Sequence, residues 1–523
     1  GSYYGAMIYA QDGSFSGFFG ANRASGSLLG IVSRFLKNLF VNKALYNSRV
    51  QSLPYQFTSL TLGADDFLYS VTAVSQNGKG QVRKLSPGGN NVLIYQGKYQ
   101  YENADTLDFT DRVSYKQLTG GYRSTSFSDL SVDSEGYMYV LDSTYGKIFV
   151  YDKECHLTTV FGAGIGNGNQ LGTFMLPVSL TNNGSDVVVL DNTKQCITVF
   201  RQTEFGALMH KALLLDQSGE YARSKTLWNQ VVSQDRYCKL AYSGIAKALY
   251  SEYDYSGALK YARMGEDKVT YANAFQQVRS RFMGENFAWL FPSVVILIGG
   301  LLLLMAYTNR RKVVLIRNDK LRTMSHTIDH PLKTFDNVKY MDMGSLTLAV
   351  AILILFYIIR VAKIMYGGFL YNNYTPYDDN SFIVLLSTVG MMMLWIIANW
   401  TVCTLKEGKG RLKEIFIVSA YALIPKVIAD ILMWVCSFLL IPSEFSLISG
   451  IFTICNLWFI LLILFGVTIV HEYSFFKAIK TSIISLLLMA LGIFVIIMVL
   501  ILFQDFYGFI ITLINEAVFR MND

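Results

Sequence analysis

The stretch AYALIPKVIADILMW (420–434) is apolar enough to enter a bilayer, yet it holds Pro425, Lys426 and Asp430 near its middle. Charged side chains cost several kcal/mol in hydrocarbon, so within a span they face the bundle interior or a water-filled cavity. In a helix Lys426 and Asp430 lie four residues apart on one face, and the spacing predicts that they pair. Pro425 removes a backbone donor one residue earlier, which predicts a kink and a freed carbonyl as second acceptor for Lys426. Asn399 and Asn456, on neighbouring spans, are the expected further partners. These five residues form a candidate intramembrane polar cluster. It suits a structural pair that fixes helix rotation, an ion or proton pathway, or a contact to lipid headgroups or a partner.

The surroundings of this stretch make the chain a membrane protein with a soluble part. Of 523 residues, 52% are hydrophobic and 16% charged, too apolar for an ordinary soluble enzyme. Six windows meet the roughly 20 residues a helix needs to cross a core of about 30 Å: 287–307, 345–365, 381–403, 415–440, 445–470 and 483–503. The linker after the first window holds eight Lys and Arg, LKEGKGRLKE (405–414) holds four and HEYSFFKAIK (471–480) two, whereas YGGFLYNNYTPYDDNS (366–381) and IPSEF (441–445) hold none. The positive-inside rule therefore predicts that the basic loops are cytoplasmic and that the soluble N-terminal half and the C-terminus face outward. Arg360 and Lys363, near the outer end of the second window, break the pattern and are expected to snorkel to the headgroups.

The soluble half is written in repeats. FTSLTLGADDFLYSV (57–71) matches FSDLSVDSEGYMYVL (127–141) at a separation of 70, VLDSTYGKIFVYD (140–152) recurs as VLDNTKQCITVFR (189–201), and MIYAQDGSFSGFFG (7–20) resembles IFVYDKECHLTTVFG (148–162). Each unit is two alternating strands about a polar turn, the pattern of a propeller blade. These repeats resemble NHL-type β-propellers. About three blades and a leading fragment are visible, with a helical-looking insertion at 27–46, and fewer blades than a closed ring uses predict missing upstream sequence. The opening GSYYGAMIYAQDG shows no signal peptide, which agrees with that expectation. GAGIGNGNQLG (162–172) imitates a phosphate loop, but strand rather than helix is expected after it, so an inter-blade turn is the reading. Asp142 and Asp191 recur at matched positions and read as turn residues rather than metal ligands.

From Phe205 the period becomes helical. Ala212, Leu215, Gly219, Tyr221 and Ser224 correspond to Ala246, Leu249, Tyr253, Tyr255 and Ala258 at a shift of 34, a pattern similar to tetratricopeptide repeats. Such repeats serve as a structural spacer or offer a partner-binding groove.

Motifs for catalysis do not emerge. HTIDH (326–330) spaces two histidines like half of a zinc site, but the glutamate base is missing and Pro331 follows, which favours a solvated juxtamembrane loop over metal binding. G-x-S-x-G, Walker A and paired-carboxylate signatures are absent from the sequence, and the six cysteines form no CxxC and read as mostly free thiols. A non-enzyme without a cofactor is expected. The basic residues flank apolar windows instead of forming an aromatic-interleaved patch, which argues against nucleic acid.

Five close spans, the Asn-Trp of ANWTVCTLKEGKGRLKEI (398–415), AYALIP (420–425) and HEYSFFKAIKTS (471–482) resemble the five-span Yip1 domain, and the whole chain resembles Yip1-family membrane proteins of Firmicutes. That resemblance implies carbohydrate ABC-importer subunits or a substrate-binding protein as partners. The expected organisation is multidomain: NHL-like blades (1–205), TPR-like repeats (206–285), a first transmembrane helix (286–308), a basic cytoplasmic linker (309–342) and a Yip1-like five-span bundle (343–523). The expected role is a non-enzymatic scaffold in the cell membrane that binds a partner or glycan outside, blade tyrosines and phenylalanines suiting carbohydrate stacking. The alternative is a transporter or channel conducting through the bundle.

Overall fold

The computed structural model describes residues 6–19, 57–73, 82–89, 91–92, 126–153, 157–311, 318–372 and 380–522; the expected insertion at 27–46 lies outside them. The chain divides into two compact units, Gly1–Thr270 and Tyr271–Asp523.

In the first unit, β1 (Ala6–Tyr9) pairs antiparallel with β2 (Phe15–Phe19). A three-stranded meander follows, β3 (Phe57–Leu62), β4 (Leu68–Thr72) and β5 (Val82–Leu85), then a four-stranded one, β6 (Phe127–Val132), β7 (Met138–Asp142), β8 (Lys147–Tyr151) and β9 (Leu157–Phe161). The short strands β10 (Gly164–Ile165) and β11 (Thr173–Phe174) pair in parallel, and β12 (Pro177–Asn183), β13 (Asp186–Asp191) and β14 (Cys196–Phe200) form a third meander. The repetition in sequence is repetition in register. Each meander has a bulge at the same place in its first strand, between Phe57 and Ser59, Phe127 and Asp129, and Pro177 and Ser179. Matched hydroxyls stitch neighbouring sheets: Thr58 donates to the Phe127 carbonyl at 2.9 Å and Ser128 to that of Pro177 at 3.3 Å. Val71, Phe127, Leu130, Val140 and Phe149 form a core shared by the first two meanders. The described strands form open sheets and do not close a barrel.

The glycine-rich segment 162–172 connects sheets. No helix follows it before β12, and Lys194 closes the loop by donating to the carbonyls of Gly168 and Thr173 at 2.9 and 2.8 Å. Asp142 and Asp191, both fully buried, end β7 and β13, and their side chains cap the turns that follow. Asp142 Oδ1 accepts from the amides of Ser126 and Thr144. Asp191 accepts from the amides of Met175, Leu176, Thr193 and Lys194.

Two helical hairpins complete the unit: α1 (Glu204–Gln217) with α2 (Tyr221–Gln234), and α3 (Lys239–Ser251) with α4 (Tyr255–Met264). The second helices start 34 residues apart, as the sequence spacing requires. Small residues at matched positions, Ala212 and Ala246, Ser224 and Ala258, are all fully buried and let the helices approach closely. Trp228 fills the space against Gly244, where a Cβ would sit 2.1 Å from its ring nitrogen, and that nitrogen donates to Asp216 Oδ2 at 3.0 Å.

The long helix α5 (Lys268–Arg311) contains the 287–307 window, whose side chains are described only in part, so its reading as a sixth span rests on sequence. The remaining helices are α6 (Asp319–Ser325), α7 (Pro331–Tyr340), α8 (Leu346–Tyr366), α9 (Ser381–Leu405, with a π-helical turn at Leu386–Gly390), α10 (Leu412–Ala422), α11 (Ile424–Cys436), α12 (Phe445–His471) and α13 (Phe475–Asn522). Among the described residues five helical segments are long and apolar enough to cross a membrane, with α10 and α11 together forming one of them. That segment is central: 67% of its apolar window is buried, against 28% or less for the others. The expected continuous span at 415–440 is broken at Leu423, because Pro425 lacks an N–H and belongs in the first turn of a new helix. Phe335, Trp395, Ile417, Tyr421 and Leu462 form the core around it.

Candidate functional site: polar clusters in the helical bundle

The helix register places Lys426 and Asp430 one turn apart, but they take different partners. Asp430, with no exposed surface, has Lys363 Nζ at 3.3 Å and an Arg360 guanidinium nitrogen at 3.7 Å, both from α8. Lys426 Nζ donates to Asn456 Oδ1 of α12 at 2.8 Å. Phe452, one turn before Asn456, has the ammonium groups of Lys363 and Lys426 each 5.4 Å from its ring centre, within cation–π range. The expected Lys426–Asp430 pair is thus replaced by an interhelical one. Lysine four residues before an acid is the less favourable order on a helix, and the α8 cations reach the carboxylate from across the interface. Arg360 and Lys363, expected to snorkel, turn inward because an uncompensated buried carboxylate would cost more than their own partial desolvation.

Asn399, expected beside this group, belongs to a second cluster. Its Oδ1 lies 3.2 Å from His471 Nε2 and its amide nitrogen 3.5 Å from Ser485 Oγ, with all three residues buried. These bonds join α9, α12 and α13. The loop after α9 seals the cluster: a Cβ on Gly408 would lie 2.6 Å from His471 Nδ1, and Tyr473 donates its hydroxyl to the carbonyls of Cys403 and Lys406, each at 3.0 Å. Only a residue without a side chain allows this approach.

Glu472 caps α12 in the left-handed conformation, φ 54°, and gathers Lys409 at 2.6 Å, Tyr340 at 3.1 Å and Lys339 at 3.3 Å. The hydrogen bond from Lys409, then those of Tyr340 and Lys339, hold its carboxyl at about 2. Lys339 also donates to the Val470 carbonyl. The basic loops and the HEY turn therefore form one interlocked surface at this end of the bundle.

The sequence spacing pointed to Lys426, Asp430, Asn456 and the Pro425 break. It missed Arg360, Lys363, His471 and Ser485 as partners. A signal for the first two was present, since cations inside a span and against the charge pattern call for an internal counter-ion. Five free cysteines, Cys196, Cys238, Cys403, Cys436 and Cys455, are present among the described residues, as expected from their spacing.

A short helix pair leads into the apolar spans, the central span is broken at a proline, and a charged turn precedes the last helix. Residues 325–497 match the family model of the Yip1 domain. The match covers about a third of the chain, and both polar clusters lie within the Yip1 domain. Its apolar helices make this a membrane protein. No curated protein matches the chain.

Proposed function

We propose that the chain is a non-enzymatic membrane scaffold or accessory protein. In this reading the Yip1 domain anchors the chain and docks to other membrane subunits, those of a carbohydrate ABC importer being the partners the family resemblance implies. The first unit, read as NHL-type blades followed by TPR-like hairpins, faces outward and binds a substrate-binding protein or a glycan. The supporting observation is how the bundle satisfies its polar groups. Asp430 is met by Arg360 and Lys363, Lys426 by Asn456, and Asn399 by His471 and Ser485, each across helices. Groups tied to one another hold helices in register, whereas a conduction path needs polar groups facing a common water-filled lumen. Purification from native membranes with mild crosslinking should recover importer subunits, and the purified protein in liposomes should move neither sugar nor ions. Flux through the protein alone would overturn the scaffold reading.

A transporter or channel is the second reading, favoured by one observation. Arg360 and Lys363 meet the one carboxylate of Asp430 while Lys426, one turn away, bonds only a neutral amide, and Asp430 Oδ2 and Arg360 Nε have no hydrogen-bond partner. The excess positive charge suits an anion. Under this reading Lys363→Met abolishes anion flux in the same liposomes.

A further inference from the structure

We propose that His326, Asp329 and His330 bind one first-row divalent metal ion of the Zn2+ class at the corner between α6 and α7. The His330 amide donates to the His326 carbonyl at 2.9 Å, so one helical turn separates the two imidazoles and brings them to the same side. Asp329 sits between them. Its Oδ2 lies 3.1 Å from His326 Nδ1 and 3.0 Å from His330 Nδ1, and the three ligand atoms all lie within 4.8 Å of one another. Metal bonds of about 2.0–2.1 Å to nitrogen and oxygen set tetrahedral ligands roughly 3.3 Å apart. Two of the three ligand edges are therefore near that length already, and the third is no longer than 4.8 Å.

Two nitrogens and one carboxylate oxygen suit Zn2+, Co2+ or Ni2+; Mg2+ and Ca2+ prefer oxygen-only shells. The rings are nearly perpendicular, 86° between planes, so they converge on a point without stacking. All three side chains are more than half exposed, which leaves the site open to an entering ion and a water as fourth ligand. A neutral imidazole that donates from Nδ1 moves its proton to Nε2 when Nδ1 takes the metal, and no proton is lost.

The ion would fasten a corner that matters to the bundle. Immediately beyond it α7 carries Phe335 and Val338 into the core, and the Thr334 hydroxyl reaches back to the Thr323 carbonyl at 3.4 Å. Full-length protein in detergent, purified without a histidine tag, should be titrated with Co2+ and then with Zn2+. The expected result is one Co2+ per chain with a tetrahedral visible spectrum, displaced by Zn2+ and not by millimolar Mg2+. His326→Ala, Asp329→Asn and His330→Ala should each weaken binding by about tenfold or more, with metal-free melting temperatures unchanged. His210→Ala, in the first unit, should bind like wild type. Absence of the spectrum, or binding unaltered when all three residues are replaced, would overturn the site.

Discussion

Asp430 is the residue whose partner choice ties the central span to α8. Lys363 is its nearest cation and Arg360 gives only partial cover at 3.7 Å, so Lys363→Met should lower stability in detergent by about 2 kcal/mol. Lys426→Met removes a hydrogen bond to the Asn456 amide and should cost less than half as much. Thermal unfolding of the two variants side by side checks the order, and the reverse order would reinstate the pair within one helix. In the first unit, Asp142 is the informative carboxylate. Its Oδ2 has no partner, and burial pushes it up to about 6, whereas at Asp191, where fewer atoms crowd the carboxyl, four amide hydrogen bonds outweigh desolvation and hold it below the usual range. Between the ordinary value near 4 and the folded value near 6, the folded protein keeps a proton that the unfolded chain has released. This group therefore favours folding at low pH, and the advantage is lost as pH rises through 6. Asp142→Asn keeps the amide acceptor without the charge; it should stabilise the protein at pH 7.5 and change little at pH 4.5. Equal effects at both values would remove the argument. Residue identities and helical spacing made Asp430 and Lys426 visible as a problem in the sequence. Their partners were not visible, because interhelical geometry chooses among cations and the sequence ranks them only by separation along one helix.

Elements show the same boundary between what periodicity carries and what packing adds. The strand-meander and helical-hairpin repeats were readable because their strand and helix periods recur at fixed offsets, and the structure repeats even their backbone turns. Gly136, Gly146 and Gly219 have φ of 86°, 62° and 80°, and the residues at matched positions, Asp66, Gln195 and Tyr253, adopt φ of 60°, 51° and 64° without being glycine. Tyr253 is the clearest case: its amide and that of Asp254 bond to Tyr250 and Leu249, as those of Gly219 and Glu220 bond to Asp216 and Leu215. A left-handed tyrosine is strained, so Tyr253→Gly should stabilise the α3–α4 hairpin by about 1 kcal/mol. Slower hydrogen exchange at the Asp254 amide would register the gain, and faster exchange would mean that the exposed ring makes a contact worth more than the strain. The break at Leu423 was half legible. Pro425 announced a kink, but a hydropathy window averages over a helix end and continued the span through it.

For the whole molecule, loop charges carried the reading of sidedness, and the structure supplies a relation that charges alone could not. Arg279 of α5 makes two bonds to the Glu444 carboxylate, at 2.7 and 2.5 Å, and one to the Leu439 carbonyl at 2.7 Å, which sets this turn of α5 beside the corner between α11 and α12. Tyr271 and Phe369 also meet, ring centres 4.6 Å apart. Tyr271 and Arg279 of α5 thus share a side with the loops that lack basic residues. In a chain stripped of native cysteines, a cysteine at Ser443 should react with an impermeant thiol reagent in intact cells, and one at Lys406 should not. The opposite labelling would invert the proposed orientation. The pairing of Asp430 with α8 also bears on how the protein is made. An acid or a base at the centre of a span costs about 3 kcal/mol on insertion scales, so the α10–α11 segment, with Pro425, Lys426 and Asp430, is a poor substrate for insertion by itself. Translation delivers α8 first, with Arg360 and Lys363 awaiting a counter-charge, and Asp430 follows 67 residues after Lys363. Neither segment is comfortable in lipid until the other arrives, which makes biogenesis of this domain a cooperative event between helices that are not neighbours in the chain.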